Sequence, residues 1–186
     1  MKKSKTKNTI LSIAAICAAI VVVYFAIANI PKSEENVVMT ETAKELAQNF
    51  DVSYPSTPRE VMKHYAQITK CFYMEDTTED QIEELARMMR KLFDDELLAT
   101  QTEDEYIRAL KAEILQYREA SKIVSSFAVS SSTDVRYSDN EYGNLATMLL
   151  TLNMRENGRI NQVREEFLLR QDQDGHWKIL GWQLSE

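Results

Sequence analysis

NLATMLLTLNMRENGRINQVREEFLLRQDQDGHWKILGWQLSE, residues 144–186, decides the fold. Asn157-Gly158 separates two runs of apolar and extended-favouring residues, and this dipeptide suits a two-residue hairpin loop because both of its positions need a positive φ. Asp172-Gln173-Asp174-Gly175 marks a second turn. The stretch therefore reads as three long antiparallel strands.

Their register follows from the turns, because side chains alternate along a strand and loop length sets which residues face each other. With Asn157-Gly158 as the loop, Glu156 pairs with Arg159, Leu152 with Val163, Leu150 with Glu165 and Met148 with Phe167. A second turn that pairs Gln171 with His176 sets Phe167 opposite Leu180, Glu165 opposite Trp182 and Val163 opposite Leu184. One face then carries Ala146, Met148, Leu150, Leu152, Val163, Phe167, Leu169, Leu180, Trp182 and Leu184, a core face in which Glu165 is the odd member. The other carries Leu149, Leu168, Trp177 and Ile179 among Thr147, Thr151, Arg164, Glu166 and Arg170. A fully solvated face avoids four such apolar residues together. This second face is therefore expected to be a protein interface, most simply of a homodimer. The competing expectation is that the tether or the first short helix covers Trp177 and Ile179.

Three threonine-capped helices precede the sheet. Thr57-Pro58-Arg59-Glu60 combines an N-cap hydroxyl, proline at the first helical position and glutamate at the third, which together satisfy or remove orphan amide donors. Val61, Tyr65, Ile68 and Phe72 then recur at helical spacing, with His64 and Cys71 flanking that face. Thr78 with Gln81, and Thr102 with Glu105, begin two further helices. After Ser121 the texture turns to Ile123–Val129 and Thr133–Tyr137, one or two more strands with a loop near Asp139-Asn140. Helices first and a meander last make an α+β domain.

The N-terminal segment is of another kind. Thr9 to Ile30 contains no charge, and about twenty residues at 1.5 Å each match the hydrocarbon core of a bilayer. Residues 1–8 read as a cytoplasmic N-terminus and 9–30 as a transmembrane helix. Residues 31–53 read as a tether with a possible short helix begun by Thr40, and 54–186 as the domain, with Thr40 the alternative start. Lys2, Lys3, Lys5 and Lys7 precede the span while Glu34-Glu35 follow it, which leaves the N-terminus inside and the domain outside. Cleavage near Ala28, after Ala26-Ile27-Ala28, is the competing reading and leaves a secreted domain. Ile16 before Cys17 stands where a lipoprotein signal wants a small residue.

The charge narrows the functions. Those four lysines leave eighteen basic residues against 29 acidic ones in the rest of the 186-residue chain. An excess of that sign argues against a nucleic-acid partner. Two distant histidines, four glycines and one cysteine beyond the apolar segment offer no metal-ligand spacing and no phosphate loop, so no cofactor is expected.

With helices first and an ending of FLLRQDQDGHWKILGWQ, carrying Phe167, Leu169, Gly175, Trp177, Ile179 and Trp182, the domain resembles the nuclear transport factor two-like superfamily, also called SnoaL-like or cystatin-like. YPSTPREVMKHYAQITKCFY, residues 54–73, is further similar to a group of membrane-anchored Gram-positive bacterial proteins with no assigned function. The first resemblance implies a curved sheet wrapped over helices into a cone with a pocket at its wide end, in a superfamily of enzymes such as ketosteroid isomerase and of members without catalysis. No catalytic residues of those enzymes match positions here. The pocket candidates are His64, Tyr65, Glu165 and Trp182, and the interface candidates Leu149, Leu168, Trp177 and Ile179. A membrane-tethered binding module without catalytic activity, taking a small molecule, an envelope component or a partner protein such as a second copy, is the expected role. The alternative is an isomerase, dehydratase or cyclase-like enzyme in which Glu165 acts as base with His64 or Tyr65 beside it.

Overall fold

A computed structural model describes residues 39–74 and 76–185. The expected cytoplasmic segment (1–8), the expected transmembrane helix (9–30) and the expected tether up to residue 38 lie outside the described residues. Among those that are described, no helix is long and apolar enough to cross a membrane. The fold is α+β: helices α1 (Glu41–Leu46), α2 (Pro58–Phe72), α3 (Glu79–Arg90), α4 (Asp95–Leu98) and α5 (Glu103–Glu119) come first. Strands β1 (Lys122–Val129), β2 (Arg136–Asn140), β3 (Gly143–Glu156), β4 (Arg159–Gln171) and β5 (Trp177–Leu184) then form one curved antiparallel sheet.

The expected caps start the three long helices. Thr57 Oγ1 accepts from the Glu60 amide at 3.2 Å, and Thr78 with Gln81 and Thr102 with Glu105 each close a reciprocal capping box. Thr40 caps α1, accepting from the Ala43 amide at 3.1 Å. This short helix packs on the body: Thr42, Glu45 and, just beyond it, Phe50 are buried, and the compact unit begins at Met39.

The sheet is built on β3. Its second half pairs with β1 and its first half with β2, so these two act as one interrupted strand along a single edge. Asn157 at φ 49° and Gly158 at φ 77° make the tight turn, and β3 pairs with β4 unbroken from Glu156–Arg159 to Leu145–Arg170, the expected register.

The β4–β5 pairing corrects the sequence reading twice. Gln171 pairs with Trp177, so five residues rather than four form the loop, closed by the Asp172 amide donating to the His176 carbonyl at 2.8 Å. That shift of one residue turns Trp177 and Ile179 to the inner face. A bulge then leaves Leu180 without a partner between the pairs Leu169–Ile179 and Leu168–Gly181. The extra residue restores the alternation, so Trp182 and Leu184 lie on the inner side as expected, while Leu180 does not. Trp182 faces Phe167, and Glu165 faces Leu184.

Ile179 is wholly buried, and the chain between α3 and α4 holds it there. The Ile179 amide donates to Leu92 O at 2.8 Å and the Asp94 amide to Ile179 O at 2.9 Å. Asp94, 4% exposed, also caps α4 and receives the Arg170 guanidinium through two hydrogen bonds of 3.0 and 2.6 Å. Helix layer and sheet are thus joined by an ion pair with a buried carboxylate, beside the apolar core of Phe167, Leu150, Leu169, Met62, Ile68, Leu85 and Met89.

Candidate functional site

The inner face of the sheet does not close completely on the helices. A cavity of about 370 Å³ remains, walled by α2, α5 and the inner sides of β3 and β4, with Trp182 of β5 at its mouth. α5 supplies Tyr106, Leu110, Glu113 and Tyr117, positions that share one helical face. α2 and the residue after it supply Tyr65, Thr69, Phe72 and Tyr73, and β4 supplies Val163 and Glu165.

Aromatic rings dominate the wall. Trp182 stacks on Phe167 with ring centroids 5.5 Å apart and also lies 6.0 Å from Tyr65 and 6.3 Å from Phe93. It is 43% exposed, the value that makes it a threshold between the cavity and solvent. On the far side Tyr73 and Tyr117 lie 4.5 Å apart.

The polar groups of the lining are the Glu113 and Glu165 carboxyls, the tyrosine phenols, the Thr69 hydroxyl and the Gln101 amide. Burial, and then the Glu113 carboxylate, push the Glu165 carboxyl above its ordinary range, and no cation or hydrogen-bond donor among the described residues offsets them. Glu113, at the exposed rim, accepts from the Tyr73 hydroxyl at 2.8 Å. Burial also raises the phenols of Tyr65, Tyr73 and Tyr106, so they stay protonated near neutrality. No lysine, arginine or histidine lines the cavity among the described residues.

Three of the four pocket candidates, Tyr65, Glu165 and Trp182, thus meet in one cavity, and the fourth does not. His64 follows a different direction around α2 and binds the Glu45 carboxylate of α1 through Nδ1 at 2.6 Å, with Phe50 packed edge-on at 5.0 Å. Neighbours on a helix point about 100° apart, so His64 and Tyr65 do not share one pocket. Tyr73, Tyr106, Glu113 and Tyr117 are not among the pocket residues expected from the sequence. The spacing of Tyr106, Glu113 and Tyr117 along one face of α5 was the available signal.

The interface candidates divide as well. Leu149 and Leu168 lie half-buried on the outer face, where Leu180 joins them. Ile179 is core, and Trp177 packs against the core from the inner side, with its carbonyl accepting from the Tyr54 hydroxyl at 3.0 Å. The outer face is therefore less apolar than expected, because two of its four supposed anchors belong to the interior.

Two other features are structural. A wider cleft of about 890 Å³ is lined by Asp51, Lys91, Asp94 and Arg170, groups already joined as the pairs Lys91–Asp51 and Arg170–Asp94. In the β4–β5 loop, Asp172, Asp174 and His176 bring ligand-type atoms within 4.8 Å of one another, a grouping not expected from sequence. There the Asp172 carboxylate accepts from the Asp174 and His176 amides at 3.0 and 2.8 Å, which shapes the turn.

No curated protein matches the chain. A family model described as "Domain of unknown function (DUF6715)" matches residues 1–182, nearly the whole length, and the chain therefore belongs to that family.

Proposed function

We propose that this chain is a single-pass membrane protein with its N-terminus in the cytoplasm, and that its extracytoplasmic domain, cone-like in the manner of the nuclear transport factor two-like superfamily, binds a small molecule without transforming it. The observation that carries the binding role is the open cavity behind Trp182, whose aromatic walls surround one unpaired carboxylate. Its volume lies at the small end of ligand sites. A neutral aromatic probe such as 4-tert-butylphenol, titrated calorimetrically into the full-length chain, is expected to bind with one-to-one stoichiometry. Val163→Trp, which fills the cavity from β4, is expected to weaken it by about tenfold or more. Equal binding by both proteins refutes the pocket, as does the absence of binding both by this probe and by a cationic probe of the same shape.

The membrane arrangement is tested separately. In intact cells a membrane-impermeant thiol reagent is expected to label a cysteine placed at the exposed Tyr142 but not one placed at Ser4; the reverse pattern refutes it.

One observation favours a second reading, in which the domain is an isomerase- or dehydratase-like enzyme. Glu165 is a carboxylate with a raised pKa beside the Tyr65 phenol, as a general base working near neutrality requires. His64 has no part in it, since it does not line the cavity.

A further inference from the structure

We propose that the cavity behind Trp182 selects an organic ammonium ion with an apolar body, held between its aromatic rings and the carboxylates of Glu165 and Glu113. This rests on the pocket reading given above. The chemistry of the wall carries it. A pocket meant for a neutral apolar molecule is best lined with aliphatic groups alone, since a carboxylate withdrawn from water without a partner costs free energy. Here one carboxylate stands inside and another at the rim, and no basic side chain lines the cavity with them. An anionic ligand would meet two like charges, and a neutral one would bury Glu165 uncompensated. A cation removes both penalties.

The rings favour the same choice, because the face of an aromatic ring carries negative potential and attracts ammonium groups. The chain already uses two of them this way: Lys122 Nζ lies 4.6 Å from the Tyr117 ring centre and Arg90 Cζ 5.6 Å from that of Tyr106. Neither cation lines the cavity. Tyr65, Phe72, Tyr73, Phe93 and Trp182 remain for a ligand, and two of these, Tyr65 and Phe93, lie around Trp182 at the mouth, where a charged group enters from water. Specificity for charge then comes from electrostatics rather than shape.

The test uses two probes of the same shape, (4-hydroxyphenyl)trimethylammonium and 4-tert-butylphenol, titrated into the full-length chain at pH 7.5. The ammonium compound is expected to bind about tenfold tighter or more, the scale of a cation over aromatic faces in a desolvated site. In Glu165→Gln with Glu113→Gln the two affinities are expected to converge while the neutral probe keeps or improves its own. That retained binding also shows that the double variant is folded. If both probes bind wild type equally, or the neutral one more tightly, the cation selectivity is overturned and the pocket stands. If the preference survives removal of both carboxylates, the assignment to them is overturned. If neither probe binds, the pocket reading falls and the selectivity with it.

Discussion

Arg170→Met isolates a charge pair, buried on its Asp94 side, that ties helices to sheet. The Asp94 side chain is 5% exposed and that of Arg170 20%, so the two partners have unequal access to water. Removing Arg170 strands a carboxylate that keeps only its cap bond to the Glu96 amide, at 2.9 Å. A buried charge deprived of its partner costs about 3–5 kcal/mol. Asp94→Asn is milder: the amide oxygen can keep the cap, and Arg170 retains Glu96 at 2.8 Å and some solvent. Its expected cost is about 1–2 kcal/mol, the value of a hydrogen bond to a charged group. In the double variant neither charge is stranded, so its cost should fall short of the summed single costs by about 1–3 kcal/mol. Urea denaturation of the four proteins at pH 7, followed by tryptophan fluorescence, measures all three quantities. Strict additivity, or an Asp94→Asn cost equal to that of Arg170→Met, would refute the asymmetry. Methionine is chosen because it preserves most of the aliphatic stem of the side chain without its charge.

Glu165 adds a pH dependence of the opposite kind to a salt-bridged carboxylate. Its pKa is raised in the fold, so the folded state disfavours the ionised form, and the penalty enters as pH climbs above the ordinary carboxylate value and is complete past the folded pKa. Glu165→Gln is therefore expected to raise the urea midpoint at pH 7.5 and to leave it unchanged at pH 3.5, as parallel titrations at the two values will show. Thr78→Ala and Thr102→Ala each remove a reciprocal cap and are expected to cost about 1 kcal/mol by thermal or chemical denaturation. Gly158→Ala meets no atom within 4 Å, yet its φ of +77° strains any side chain; a loss of about 1 kcal/mol is expected, where a purely steric account predicts none. Phe167→Ala empties the most enclosed aromatic site and should cost about 3–5 kcal/mol.

What the sequence revealed of the sheet depended on how each turn is built. Asn157-Gly158 names its own geometry, because positive φ at two successive residues admits few dipeptides, and every β3–β4 pair followed from it. Asp172 to Gly175 marks a turn without stating its length: the Asp172 side chain organises the loop through His176, one residue further than the glycine suggests. The bulge at Leu180 adds a second one-residue error, which cancels the first in face but not in partner. That is why Trp182 was placed on the correct side opposite the wrong residue. The pocket was partly legible for a similar reason. Glu165 stood out as a charge on an apolar face. The phenols and Glu113 come from helices whose distance from the sheet no local pattern specifies, and helical spacing alone mistook His64 for a neighbour of the site when its imidazole serves α1.

The seizure of Ile179 by Leu92 and Asp94 also bears on solubility. A terminal strand normally offers a row of unsatisfied amides and carbonyls on which another chain can continue the ladder. In β5 that row is occupied at Ile179 on both its amide and its carbonyl, with Lys178 reaching across to the Lys91 carbonyl at 2.8 Å. The opposite rim is broken too, by an irregularity between Val124 and Ser126 and by the 3-10 turn Ser132–Asp134 that separates β1 from β2. Both margins are thereby interrupted, at Ile179 on one side and at the β1–β2 break on the other, and on the β5 side the interruption comes from the same contacts that position the core.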